Sequence, residues 1–147
     1  MKRKYFILVL VLILTVFLAG CGSSGIVTSV TDEAKIKNVI SEYFLATNDQ
    51  NWEKAKSYCV YGSEEYYDLC FFEDMINTYS QTTENITITI DADIINTDIT
   101  GRYAITYLYF TILVTVDYNV VSYDNVYAYY YLQKIGNNWK IYLSVVI

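Results

Sequence analysis

The chain predicts an α+β domain, three N-terminal helices packed on a curved antiparallel sheet of about four strands. Two observations carry this. Apolar residues recur at helical spacing as far as Ser80, and from Ile86 onward the period falls to two while β-branched and aromatic residues take over. The order, helices first and strands second, puts the helices on one face of the sheet. Residues 31–147 are enough for one domain with about two thirds of its unfolded surface buried, and leave no room for a second.

Thr31 stands where a helix N-cap belongs, with Asp32 and Glu33 at the positive end of the helix dipole. Ile36, Val39, Ile40, Tyr43, Phe44 and Thr47 then share one face. Asn48-Asp49-Gln50-Asn51 breaks this helix, and Trp52, Ala55, Lys56 and Cys59 mark a short second one to about Val60, ended by Gly62. Ser63 followed by Glu64 and Glu65 opens a third, whose stripe is Leu69, Phe72, Ile76 and Tyr79. Ile86, Ile88, Ile90, Ala92 and Ile94 alternate with polar residues as a half-buried strand. Residues 97–101 read as a turn, 102–116 as a long second strand and 118–125 as a loop. Residues 126–135 form a third strand and Gly136-Asn137-Asn138 turns into a last one, 139–147.

The first thirty residues have a different character. Lys2, Arg3 and Lys4 precede an apolar run shorter than the ~20 residues that span a bilayer, and the run closes on Leu18-Ala19-Gly20-Cys21. This resembles the lipobox of a bacterial lipoprotein signal. The resemblance implies cleavage between Gly20 and Cys21, acylation of Cys21 and a product held on the extracytoplasmic side of the cell membrane. Two or more acyl chains hold a protein firmly where one binds only reversibly. Residues 1–20 are then the signal peptide, and 21–30 the lipidated Cys with a short tether rich in small residues.

The leader holds three of the ten basic residues and none of the sixteen acidic ones, so the remainder carries a formal charge of −9. Such a surface repels nucleic acid, and the lipid partner is met through the terminus alone. The chain has no His and no Pro. Without imidazole there is no Ser-His or Cys-His pair and no His metal ligand, so any catalysis falls to a carboxylate or a Tyr. No metal or cofactor is expected.

Three segments resemble the nuclear transport factor 2-like, or cystatin-like, superfamily: residues 36–46, residues 51–55 with Asn51-Trp52, and residues 132–141 with Gly136-Asn137-Asn138-Trp139. The resemblance implies a cone with a pocket between helices and sheet, and a homodimer through the outer sheet face. It implies no single activity, because function sits in sites and not in folds. No catalytic motif of the superfamily can be matched here residue by residue.

Strand alternation sets Tyr127, Tyr129 and Tyr131 on one face and Tyr130 on the other, with Tyr103, Tyr107 and Tyr109 one strand earlier. This stripe reads either as an interface or as cross-strand aromatic pairing that stabilises the sheet. Asp91 and Asp93 share a strand face and read as solvated. Tyr43, Glu42 and Glu73 lie on or beside helical stripes that face the cone, where a Glu with a Tyr can move a proton. Cys59 and Cys70 read either as a disulfide between the second and third helices or as two free thiols. The leading function is a lipid-anchored, extracytoplasmic binding or interaction module of the bacterial cell envelope, taking a small apolar ligand or another envelope protein. The alternative is a small isomerase- or dehydratase-type enzyme using a carboxylate and a Tyr in the cone. No catalytic residue is assigned.

Overall fold

The computed structural model describes residues 31–82 and 85–147; the leader and tether, with Gly20 and Cys21, lie outside the described residues. Helix α1 runs Asp32–Asn48, α2 Trp52–Ser57 and α3 Glu64–Ser80. Each starts at the side chain that its sequence offers. Thr31 Oγ1 accepts from Ala34 N (3.3 Å), Asn51 Oδ1 from Lys54 N (3.2 Å) and Ser63 Oγ from Tyr66 N (3.3 Å). Gly62 before α3 has φ +76°, a backbone that residues with a Cβ rarely adopt.

Helix α2 ends at Ser57 rather than near Val60, because the next residues leave the helix to pair with the sheet. Ile141 N donates to Tyr58 O (2.9 Å) and Val60 N to Ile141 O (2.7 Å). Those two bonds engage Tyr58 O and Val60 N, groups that a helix continued to Val60 would have used.

Four strands follow, β1 Ile86–Thr100, β2 Tyr103–Val116, β3 Asn119–Ile135 and β4 Asn138–Val146, in one antiparallel sheet of order β1-β2-β3-β4. Three helices against a curved four-stranded antiparallel sheet is the predicted class. Two boundaries are corrected. Strand β1 does not stop for a turn at 97–101; a bulge at Ile95 absorbs one residue and pairing resumes from Asn96 opposite Tyr107 to Thr100 opposite Tyr103. Residues 118–125 are not a loop either, since Asp117 (φ 49°) and Tyr118 (φ 67°) make a tight turn and β3 begins at once, with Asn119 opposite Val116.

The core lies between the helices and one sheet face. Ile36, Ile40 and Phe44 of α1 meet Leu108, Phe110, Tyr130 and Leu132 of the sheet, all buried. Phe44 packs on Phe110 (ring centroids 5.6 Å) and on Tyr130 (5.6 Å), and Tyr43 on Tyr130 (6.2 Å). At the other end Lys134 Nζ donates to both oxygens of Asp32 (2.9 and 2.7 Å) and stands over the buried Trp139 ring. The Lys134 ammonium holds the Asp32 carboxyl below its usual range, and the first residue of α1 is thereby tied to the β3–β4 turn. Among the described residues no helix is long and apolar enough to cross a membrane.

Candidate functional sites

The sheet face turned away from the helices gathers the tyrosines. Tyr107 lies opposite Tyr129, and Tyr109 opposite Tyr127, with ring centroids 5.0 Å apart in both pairs; Tyr107 also stacks on Tyr127 (5.9 Å, 20°). Tyr131 faces Ile105 across the ladder and reaches Tyr142 on β4 (6.2 Å). Tyr103, Ile105 and Tyr127 are exposed and the other rings half-buried. Aromatic pairing is therefore real, and such pairs stabilise by about 1 kcal/mol beyond burial. It does not cover the face. Tyr130 points the other way, into the core.

Beside the tyrosines runs an acidic margin. Asp93 lies opposite Tyr109, and Asp98 opposite Ile105, on the outer side of β1. Asp91 and Asp93 are exposed there, and among the described residues no group of acidic or Cys side chains is placed to hold a metal ion. Glu42 pairs with Lys54 (2.7 Å), and Glu73 with Lys56 (3.1 Å), so neither faces the cone. Cys59 and Cys70 are free thiols. Cys59 is buried, and desolvation pushes its thiol up to about 12, too high to leave a thiolate at neutral pH.

Tyr43 does point inward, to a partner that sequence patterning does not single out. Its hydroxyl donates to Glu65 Oε1 at 2.7 Å, and Glu65 is only 4% exposed. Glu65 follows Ser63 and reads as a first-turn acid complementing the helix dipole. Yet the stripe of α3 extended four residues back from Leu69 lands on it, which is the signal that was available. Glu65 Oε2 makes no well-formed hydrogen bond, although Ser144 stands near the carboxyl. Burial raises the carboxyl, while Ser144 and Tyr43 draw it part of the way back. Desolvation likewise keeps Tyr43 and Tyr130 protonated, as donors. This cluster of a buried acid and two phenols can share a proton. It lacks room for a substrate, since Tyr43, Phe44, Phe110 and Tyr130 fill the space around it.

Several hollows lie elsewhere among the described residues. One of about 730 Å³ sits beside Trp139 and the start of α1, and an apolar groove of about 500 Å³ lies between α3 and the far end of the sheet; Glu65 lines neither.

No family model matches the chain. No curated protein matches it either. Solved structures do. A Bdellovibrio bacteriovorus protein aligns at 13% identity and TM-score 0.57 over 76% of this chain, which spans only 38% of that protein. A Nostoc punctiforme protein of unknown function with a cystatin-like fold aligns at 12% identity and TM-score 0.51, covering 78% of this chain and 89% of that one. A putative dehydratase of the NTF2-like family from Streptomyces avermitilis aligns at 13% identity and TM-score 0.53, covering 79% and 97%. Identities this low show the fold alone. The chain has the fold shared by these cystatin-like and NTF2-like proteins.

Proposed function

We propose that the chain is a lipid-anchored interaction module of the bacterial cell envelope, held by acylated Cys21 and recognising another envelope protein with the outer face of its sheet. One observation carries this reading: the tyrosines stand on the uncovered face while aromatic side chains fill the cone. Tyr joins a large apolar body to a polar tip at low conformational cost, which suits recognition. The lipobox-like leader supplies the address.

Two measurements test it. Fatty-acid labelling is expected to tag the wild-type chain and to fail after Cys21→Ser; equal labelling removes the anchor. Tyr107→Asp with Tyr129→Asp is expected to abolish cross-linking to neighbours in intact cells while the fold persists. Unchanged cross-linking removes the outer-face reading, and a product containing only this chain makes the partner a second copy.

The enzymatic alternative has one observation in its favour, the buried Glu65 whose Oε2 makes no well-formed hydrogen bond. It requires the aromatic packing to open. Fast modification of Glu65 by a water-soluble carbodiimide in the folded protein would revive that alternative; protection sets it aside.

A further inference from the structure

We propose that the outer sheet face takes an arginine side chain of its partner protein, the guanidinium laid on the Tyr109–Tyr127 pair with its N–H groups on Asp93. The inference rests on the outer-face reading and names the chemistry that this face selects.

Register puts the parts in one row. Asp93 of β1 lies directly opposite Tyr109 of β2, and Tyr109 opposite Tyr127 of β3, so the three side chains cross the face side by side. Directly opposed residues hold their Cβ atoms about 5 Å apart, which lets one planar guanidinium cover a ring and meet the neighbouring carboxylate. The rings are set before any ligand arrives. Tyr109 and Tyr127 stand 5.0 Å apart between centroids, Tyr107 stacks on Tyr127, and the Tyr109 hydroxyl donates to Asn125 Oδ1 (2.9 Å). That hydroxyl is therefore taken up by Asn125 and not by Asp93. Asp93 and Tyr127 are both exposed.

Charge gives the sign of the occupant. The register carries three carboxylates onto this face, Asp91 opposite Thr111, Asp93 opposite Tyr109 and Asp98 opposite Ile105, and all three are exposed. Among the described strand residues on this side the one base is Lys140, opposite Gln133 at the β4 margin, and its ammonium donates to Ser57 O. On the helices Asp32, Glu33, Glu42, Glu53 and Glu73 each pair with a lysine. Among the described residues Asp91 and Asp93 stand in no ion pair.

An aromatic face beside unpaired carboxylates attracts a cation, and a ring with a carboxylate at its side suits the planar, forked guanidinium better than the compact ammonium. A second copy of this chain would bring the same acids and set like charges against each other. Charge therefore favours a foreign partner.

The test uses the full chain in neutral detergent micelles and two labelled peptides of glycine and serine, one carrying three arginines and the other three lysines at the same positions. Fluorescence anisotropy at physiological ionic strength is expected to show saturable binding of the arginine peptide, about tenfold tighter than of the lysine peptide. Asp93→Asn and Tyr109→Leu should each weaken the arginine peptide about tenfold, while Tyr109→Phe, which keeps the ring, binds as the wild type does. Asp74→Asn on α3 removes the same charge from the helical side and should change nothing. No binding, equal binding of the two peptides, unchanged binding by Tyr109→Leu, or equal effects of Asp93→Asn and Asp74→Asn overturns the proposal. Dimers that exclude the peptide overturn it in favour of a second copy. In intact cells, cross-linking that is lost with Tyr107→Asp and Tyr129→Asp but untouched by Asp93→Asn removes the arginine contact and leaves the outer-face reading standing; cross-linking that survives all three changes removes both.

Discussion

The two long flanks of the sheet are finished in opposite ways. Along β1 the helical layer supplies the missing partners: Asn48 Nδ2 donates to Ile90 O (3.0 Å), Ile90 N donates to Asn48 Oδ1 (2.7 Å), and Gln50 Nε2 donates to Ile86 O (2.8 Å). Farther along, the bulge at Ile95 and the charges of Asp91, Asp93 and Asp98 keep other strands away. On the opposite side Tyr58 and Val60 occupy β4 at Ile141 with backbone hydrogen bonds, and the first half of β3 carries a bulge of its own at Val121 and the exposed Asp124. One flank is thus closed by side-chain amides and the other by backbone pairing, and the two should differ in how a single side-chain change affects them.

Asn48→Ala tests the amide-closed side most severely. Two hydrogen bonds vanish together and leave Ile90 groups unpaired, for an expected loss of about 2 kcal/mol in urea unfolding and new concentration-dependent association by light scattering. No loss of stability would mean that the amide only decorates the edge.

The tip of the β2–β3 hairpin is expected to respond with opposite sign. Tyr118 holds a left-handed backbone (φ 67°), so Tyr118→Gly should raise stability by about 1 kcal/mol in the same assay. A lower midpoint would show that the exposed ring contributes more than its backbone costs.

Glu65 acts where β4 stops, near Ser144. Its folded carboxyl is raised above the unfolded one, so its favourable contribution is fully present below the unfolded value of 4.5 and declines as pH rises through the folded value. Glu65→Gln should flatten that decline, and the protection factors of amides at the end of β4, corrected for intrinsic exchange, should fall with rising pH in the wild type but not in the variant. Identical pH profiles would remove Glu65 from the closure of this strand.

The smallest effect belongs to a site remote from both flanks. Lys134→Met removes the ion pair with Asp32, which is part-exposed and screened, and should barely move the melting midpoint. A large drop there would mean that the edges matter less than the ends.

What the sequence disclosed, and what it hid, divides along the same line. Capping residues and periodicity give the three helix starts, because a cap acts on backbone groups two or three residues away. The alternation that sends Tyr130 inward and Tyr129 outward is equally local. The bulge at Ile95, the immediate start of β3 at Asn119 and the edge bonds of Asn48 are decided by partners dozens of residues distant, so no window of the chain announces them. Tyr118 in a left-handed turn contradicts turn statistics outright. Glu65 was hidden by a good local role, a first-turn acid, that concealed its place on the buried stripe.

Asp32, clasped by Lys134 above the Trp139 ring, decides how the domain bears load. A pull applied ahead of Thr31 would unwind α1 turn by turn from its first residue if nothing held that residue. The clasp gives that first residue a second route for tension, into β3, the longest strand among the described residues, though a weak one.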